Sequence, residues 1–374
     1  MASILKFIAH IKNVIKFTQL PKDQRRLVFY SEGKNYWVHL EGLIKEVLAT
    51  SNIPVCYISS GDDDPGLCFE HRNYKTFKID EGFVRNWLFE NIETDVMVMT
   101  MPDLHQYQVK RSKHKVHYVY TQHSLVSFHM VYRKGAFDHY DTIFCAGPHH
   151  IKEMRAIEEK YNLPKKNLVE HGYARLDAII EEAKKRPNKD KPDNAPKHVL
   201  IAPSWGPKGT IESGIGEKIV DQLIEQGCQV TLRPHPQTVK FARQKIDAIL
   251  KKYNDHSLFS YEDNVAGQNS LHESDVMISD WSGAALDYAF GLNKPVLFVD
   301  VPRKVNNLDY EEIGVEPFES HYRTKIGMLI EVDEMKVRFP KINKNAKNQI
   351  LPVFNIRKSN AIGAVALNKL LNKN

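Results

Sequence analysis

Long apolar runs are missing from this chain. No stretch of about 18 consecutive apolar residues occurs, so no segment is expected to span a bilayer, and the first residues lack the unbroken apolar core and small-residue cleavage site of a signal peptide. Cysteine is scarce. The four present, Cys56, Cys68, Cys145 and Cys228, stand far apart with no CxxC pair, which argues against a zinc knuckle or a disulfide framework and points to a reducing, cytosolic compartment. Neither G-x-G-x-x-G nor G-x-x-x-x-G-K-[ST] is found, against the usual dinucleotide fingerprint and the P-loop. No H-E-x-x-H motif suggests a metal, and the expected chemistry is metal-free and cofactor-free. There is no internal repeat of solenoid period and no low-complexity tract.

What is present fits a globular protein of about two domains: 374 residues, 42% hydrophobic and 26% charged. The net charge of +6 suits anionic partners such as nucleotides or phospholipid surfaces without choosing among them. Basic residues are dispersed and no aromatic-plus-basic recognition motif stands out, so nucleic acid is not an expected partner. Residues 1–25 open with Ile4, Leu5, Phe7, Ile8, Ile11, Val14 and Ile15 at helical spacing, interrupted by Lys6, Lys12 and Lys16. Such a basic amphipathic helix either lies in the headgroup region of an anionic membrane or packs on its own domain.

From residue 26 the pattern alternates between short strands rich in Val, Ile, Tyr and Phe and amphipathic helices, as in a parallel sheet buried on both faces. Strands are expected at 26–31, 54–59, 95–100, 116–122 and 142–146, with a helix over 36–50. The charged, Pro- and Asn-rich stretch 186–196 reads as an interdomain loop. A second alternation follows, with strands at 198–202, 229–233, 276–279 and 295–299 and helices at 215–226, 238–253 and 282–291. The chain therefore divides into an N-terminal Rossmann-like domain over 26–186 and a second over 187–374, with a ligand cleft at the carboxyl ends of the strands.

Candidate chemistry clusters at those strand ends. In Ser279-Asp280-Trp281-Ser282-Gly283 a strand gives way to a helix whose unpaired N–H groups and Ser hydroxyls suit a diphosphate, although Ser282 also reads as a plain N-cap. In Arg233-Pro234-His235-Pro236 two prolines fix the backbone around His235, which could then donate to a phosphoryl group beside a guanidinium; the alternative is a loop cap. His123 follows the strand Tyr120-Thr121-Gln122 and is the candidate general base, because imidazole titrates near neutral pH. Ser204-Trp205 forms a strand-to-loop turn near a base or phosphate, or a plain turn with a packed Trp. Arg175 is a phosphate contact or a partner for Asp177.

Taken in order, His123, Gly172-Tyr173-Ala174-Arg175-Leu176-Asp177, Ala202-Pro203-Ser204-Trp205, Arg233-Pro234-His235-Pro236, Ser279-Asp280-Trp281-Ser282 and Lys294-Pro295 resemble the CDP-glycerol glycerophosphotransferase family of teichoic acid primases and polymerases. That resemblance implies a GT-B fold and a peripheral enzyme on the inner face of the cell membrane. It would transfer glycerol phosphate from CDP-glycerol to a lipid-linked or polymeric glycan and release CMP. By the same resemblance His123 is the base, Arg233 and His235 handle phosphate, Ser279, Ser282 and Gly283 hold the nucleotide's phosphates, and the tail after Lys358 is a helix returning to the first domain. Two positions depart from the family pattern. Gln122-His123-Ser124 stands where Trp-His-Gly is usual, and Trp281-Ser282-Gly283 stands where Tyr-Ser-Ser is commoner. The competing readings are a GT-B glycosyltransferase using a sugar nucleotide and a non-catalytic nucleotide- or membrane-binding scaffold.

Overall fold

In the computed structural model, which describes residues 2–80, 82–107, 109–187, 192, 195–330 and 351–372, two all-parallel sheets each carry helices on both faces. The first has the order β3-β2-β1-β4-β5-β6-β7, with β1 Leu27–Ser31, β2 Val55–Ser59, β3 Tyr74–Lys78, β4 Val96–Met99, β5 His117–Thr121, β6 Thr142–Cys145 and β7 Asn167–Glu170. The second has the order β10-β9-β8-β11-β12-β13, with β8 His198–Ile201, β9 Gln229–Leu232, β10 Phe259–Tyr261, β11 Val276–Ser279, β12 Val296–Val299 and β13 Gly327–Ile330. In each sheet the order reverses beside the first strand, between β1 and β4 and between β8 and β11. A crevice opens at that point above the carboxyl ends. This is the GT-B arrangement, two Rossmann-like lobes facing across a cleft.

The central strands are buried along their whole length, as the continuous apolar runs require. Helix Lys34–Thr50 covers the first sheet with Trp37, Leu40, Leu43, Ile44, Val47 and Leu48. The C-terminal helix Ser359–Leu371 packs on it, so the chain ends on the first lobe. The two helices come close because both contact faces carry glycine. A Cβ on Gly363 would lie 2.7 Å from Leu43 Cδ1, and one on Gly42 would lie 2.4 Å from the Asn360 amide.

The lobes are also tied directly. Glu319 of the second lobe is buried and accepts from both the backbone N–H and the hydroxyl of Ser127, each at 2.8 Å. Asn306 and Asn307 donate to the carbonyls of Val131 and His129 at 2.6 and 2.9 Å.

One expectation needs correction. The helix expected over 238–253 is two helices, Pro236–Phe241 and Arg243–Tyr253, because Ala242 leaves helical geometry at φ −128° and ψ 32°. The basic helix Ala2–Thr18 divides its apolar residues between two environments. Val14 and Phe17 pack into the first lobe, where the Phe17 ring meets Phe77 edge-on at 5.4 Å, while Ile4, Leu5, Phe7, Ile8, Ile11 and Ile15 face outward. The stretch 186–196 read as an interdomain loop lies largely outside the described residues.

Candidate active site

A cleft of about 1120 Å³ lies between the lobes and is lined from both. His123, Ser124 and Arg175 reach it from the first lobe, and Ser204, Trp205, Arg233, His235, Ser282 and Gly283 from the second. Each stands just past a strand or at a helix start, where side chains are free of the sheet ladder but anchored on a rigid element.

His235 is the N-cap of helix Pro236–Phe241, and its Nδ1 accepts from the Gln237 N–H at 3.1 Å. With Nδ1 an acceptor, the neutral ring must carry its proton on Nε2. Burial, Lys304 and His123 together push its pKa down to about 3, which keeps the ring neutral. The capping role and the donor role weighed as alternatives are therefore compatible, because the cap selects the donor tautomer.

Across the cleft His123 is wedged among aromatic rings. Its Nδ1 meets the Tyr120 hydroxyl at 3.0 Å and its Nε2 the Tyr132 hydroxyl at 3.4 Å, and the Tyr173 hydroxyl donates to its backbone carbonyl at 2.9 Å. Burial lowers its pKa to about 4, so at neutral pH the ring is neutral and keeps one nitrogen lone pair able to accept a proton. Nearby Tyr36 and His39 sit edge-on at 6.1 and 6.2 Å.

The floor of the cleft holds two guanidiniums and one carboxylate. Arg175 Nε pairs with Asp287 Oδ2 at 3.2 Å, both nearly buried, and Arg175 Nη2 donates to the Val265 carbonyl at 3.0 Å. Arg233 is buried beside them and donates to Gly267 and Ser270, and burial followed by the Arg175 charge lowers its pKa to about 10. Asp287 is pushed up to about 6 by burial, against the pull of both arginines. Two cations against one carboxylate leave a net positive floor, suited to an anionic ligand.

Arg175 therefore does not partner Asp177. That carboxylate accepts from the backbone N–H groups of Arg357 and Ser359 at 2.6 and 3.1 Å and caps the C-terminal helix instead. Ser279 and Asp280 also depart from expectation, since neither lines the cleft. The Ser279 hydroxyl donates to the Ala202 carbonyl at 2.8 Å. Asp280 accepts from Ser204 N, Trp281 N, Thr210 N and Thr210 Oγ1 at 2.6, 2.6, 3.2 and 2.8 Å. It staples the Ser204 loop to the end of β11 and so positions Ser204 from outside the cleft lining. At the helix start itself, Ser282 Oγ accepts from Ala284 N at 3.3 Å, the N-cap bond that was one of its two readings, while its side chain still borders the cleft.

Several lining residues carry no signal in the sequence reading: Tyr36, His39, Tyr132, Asp287 and Lys304. Lys304 is the most consequential. Its ammonium lies 4.9 Å from the Trp205 ring centre, and burial lowers its pKa to about 8, offset in part by Asp280, Glu212 and Glu319. Its place in the loop after β12, another carboxyl end in the same sheet, was the available clue. The acidic run Asp62-Asp63-Asp64 is spent elsewhere, on Lys6 and Lys78, on Lys34, and on Tyr57 and Ser59 respectively. Among the described residues no group of three His, Cys, Asp or Glu side chains is arranged to hold a metal ion.

The family described as CDP-glycerol:poly(glycerophosphate) glycerophosphotransferase matches residues 21–336, which spans both lobes and every cleft residue named above. The chain belongs to that family. As a member it is a CDP-glycerol glycerophosphotransferase enzyme. Among solved structures it is similar to the wall teichoic acid polymerase TagF, in a histidine-to-asparagine form soaked with CDPG, at 16% identity and a TM-score of 0.59, covering 99% of this chain and 98% of that one. It is also similar to the UDP-GlcNAc 2-epimerase of Methanocaldococcus jannaschii in complex with UDP-GlcNAc and UDP, at 12% identity and a TM-score of 0.56, covering 91% and 99% of the two chains. The UDP-GlcNAc 2-epimerase of Neisseria meningitidis gives 12% identity and a TM-score of 0.55, covering 92% and 99%. At these identities the likeness is one of fold. No curated protein sequence matches the chain.

Proposed function

We propose that this glycerophosphotransferase moves glycerol phosphate from CDP-glycerol to a hydroxyl of a lipid-linked or polymeric glycan, with CMP as the leaving group. The carrying observation is that two neutral imidazoles face one cleft from opposite lobes, over a floor with excess positive charge. His123 takes the proton of the acceptor hydroxyl at Nε2, where the longer of its two tyrosine contacts gives way to substrate. The acceptor oxygen bonds to the β-phosphorus as the bond from that phosphorus to the bridging oxygen breaks, and CMP leaves with the electron pair. His235 Nε2–H donates to the phosphoryl oxygens as charge builds on them, and Arg233 and the helix start at Gly283 offset the remainder. Positioning and electrostatics supply most of the rate in such a reaction.

The acceptor's lipid anchor is consistent with the outward face of helix Ala2–Thr18. Beside that face, on the helix Phe83–Asn91 packed against it, Phe83 and Trp87 are 71% and 47% exposed. Apolar side chains, an interfacial Trp and the exposed Lys12 and Lys16 together suit a peripheral position on an anionic membrane leaflet.

The deciding experiment offers CDP-glycerol, CDP-ribitol and sugar nucleotides with a lipid-linked glycan and reads products by mass. A glycerol phosphodiester and stoichiometric CMP are expected. A glycosidic product or no turnover would overturn the reading.

A further inference from the structure

The hydroxyl of Ser124, in the first lobe, occupies space that belongs to the second. Gly283 opens the ten-residue helix Gly283–Leu292, and a Cβ built on it would fall 2.2 Å from Ser124 Oγ. No side chain at 283 fits while that hydroxyl stays, and Ser124 Cβ and Val126 Cγ1 follow at 3.4 and 3.6 Å. Both residues line the cleft, and Ser124 adjoins His123. Ser124 Oγ accepts a long bond from the Val126 N–H at 3.4 Å, which leaves its own proton to be donated. Ser124 and Gly283 are thus complementary: the hydroxyl sits where it does because position 283 has no side chain.

We propose that Ser124 supplies, across the lobe boundary, a hydroxyl donor at the start of helix Gly283–Leu292, so that the diphosphate is held by both lobes at once and residue 283 is glycine to admit it. This rests on the function proposed above and deepens it. A donor carried by the lobe that holds the base makes diphosphate binding and placement of His123 one event. It also binds the anion most tightly with the lobes closed, which is the state in which the acceptor hydroxyl meets phosphorus.

The test is a cycle of Ser124→Gly, Gly283→Ala, Gly283→Ser and the doubles, read by calorimetric binding of CDP and of inorganic pyrophosphate, by kcat and KM for CDP-glycerol, and by Tm. Ser124→Gly is expected to weaken CDP and pyrophosphate binding about tenfold, the loss of one hydrogen bond to a charged group. Gly283→Ala should evict the hydroxyl and cost a similar factor, with no further loss when Ser124→Gly is added. Gly283→Ser in the Ser124→Gly background should recover binding to within about threefold of the native protein, a rescue that simple packing does not produce. Unchanged binding in Ser124→Gly, or no recovery in the Ser124→Gly/Gly283→Ser protein with Tm preserved, would overturn the proposal. If Gly283→Ala proves unstable, Ser124→Ala carries the same comparison. Should the native protein turn over no CDP-glycerol, the proposed function fails, while the CDP and pyrophosphate arms still decide the role of Ser124.

Discussion

The Gln237 N–H donates to His235 Nδ1 at 3.1 Å, and this one bond decides which face of the imidazole can serve a phosphate. A helix needs its first N–H groups satisfied, and here the satisfying atom belongs to a residue that borders the cleft. The local cap and the chemistry are therefore coupled through the tautomer.

That coupling can be separated by substitution. His235→Ala should lower kcat by about two to three powers of ten, comparable to loss of one oxyanion donor. His235→Asn keeps an oxygen able to cap Gln237, since Asn is among the favoured N-caps, so its Tm should stay within about 2 °C of native while turnover falls as far as in the alanine variant. Near-native turnover in either protein would remove His235 from the mechanism.

The pH profile should report His123. A base must be unprotonated, and burial holds its pKa near 4 in the free enzyme, so the acid limb of kcat/KM that His123 contributes should appear only as pH drops through that region, below any change that Asp287 makes near 6. An exposed histidine would instead bend the profile near its ordinary value of about 6.5. The bound diphosphate brings negative charge beside the ring and should raise the inflection in kcat above that in kcat/KM. His123→Ala should lack the inflection altogether, and an unchanged profile in that variant would assign it elsewhere.

Asp287 pairs with the buried Arg175 and feels the charge of the buried Arg233 beside it. Removing it by Asp287→Ala leaves that charge uncompensated and should destabilise the fold by about 3 kcal/mol. Added CDP should raise the Tm of this variant by more than it raises the native Tm, because the ligand's phosphates replace the missing carboxylate. Equal ligand-induced shifts would show that the floor is not the anion site.

Membrane binding is best tested on the exposed face of the first helix. Deleting that helix would strip the buried Val14 and Phe17 from the first lobe and confuse unfolding with loss of docking. Ile8→Asp with Ile11→Asp changes only outward residues and should abolish flotation with anionic liposomes at unchanged Tm. Flotation equal to the native protein would end the idea.

The strands legible from sequence were β1, β2, β4, β5, β6, β8, β9, β11 and β12. The four that were not, β3, β7, β10 and β13, are the outer strands of the two sheets. An interior strand is covered on both faces and shows a continuous apolar run. An edge strand is half covered, and Asn167–Glu170 and Gly327–Ile330 expose part of each residue pair, so their composition resembles loop. The site divides similarly. His123, Arg233, His235, Ser282 and Gly283 stand next to breaks in the pattern, where proline, glycine or serine follows a strand. His39, Tyr132 and Lys304 lie within ordinary-looking helix and loop and become cleft residues only when distant segments meet.

Sequence alone determined the two-lobed parallel architecture, because burial on both faces of a sheet leaves an apolar signature in contiguous residues, and it determined which turns end at the cleft. Tertiary structure decided the pairings: Arg175 with Asp287, Asp177 with the C-terminal helix, Asp280 with the Ser204 loop, and Ser124 against Gly283. Apolar burial depends on a residue's own character and its near neighbours. A hydrogen bond or ion pair depends on angstrom-scale distance between atoms that the chain separates by scores of residues, and only the folded backbone sets that distance.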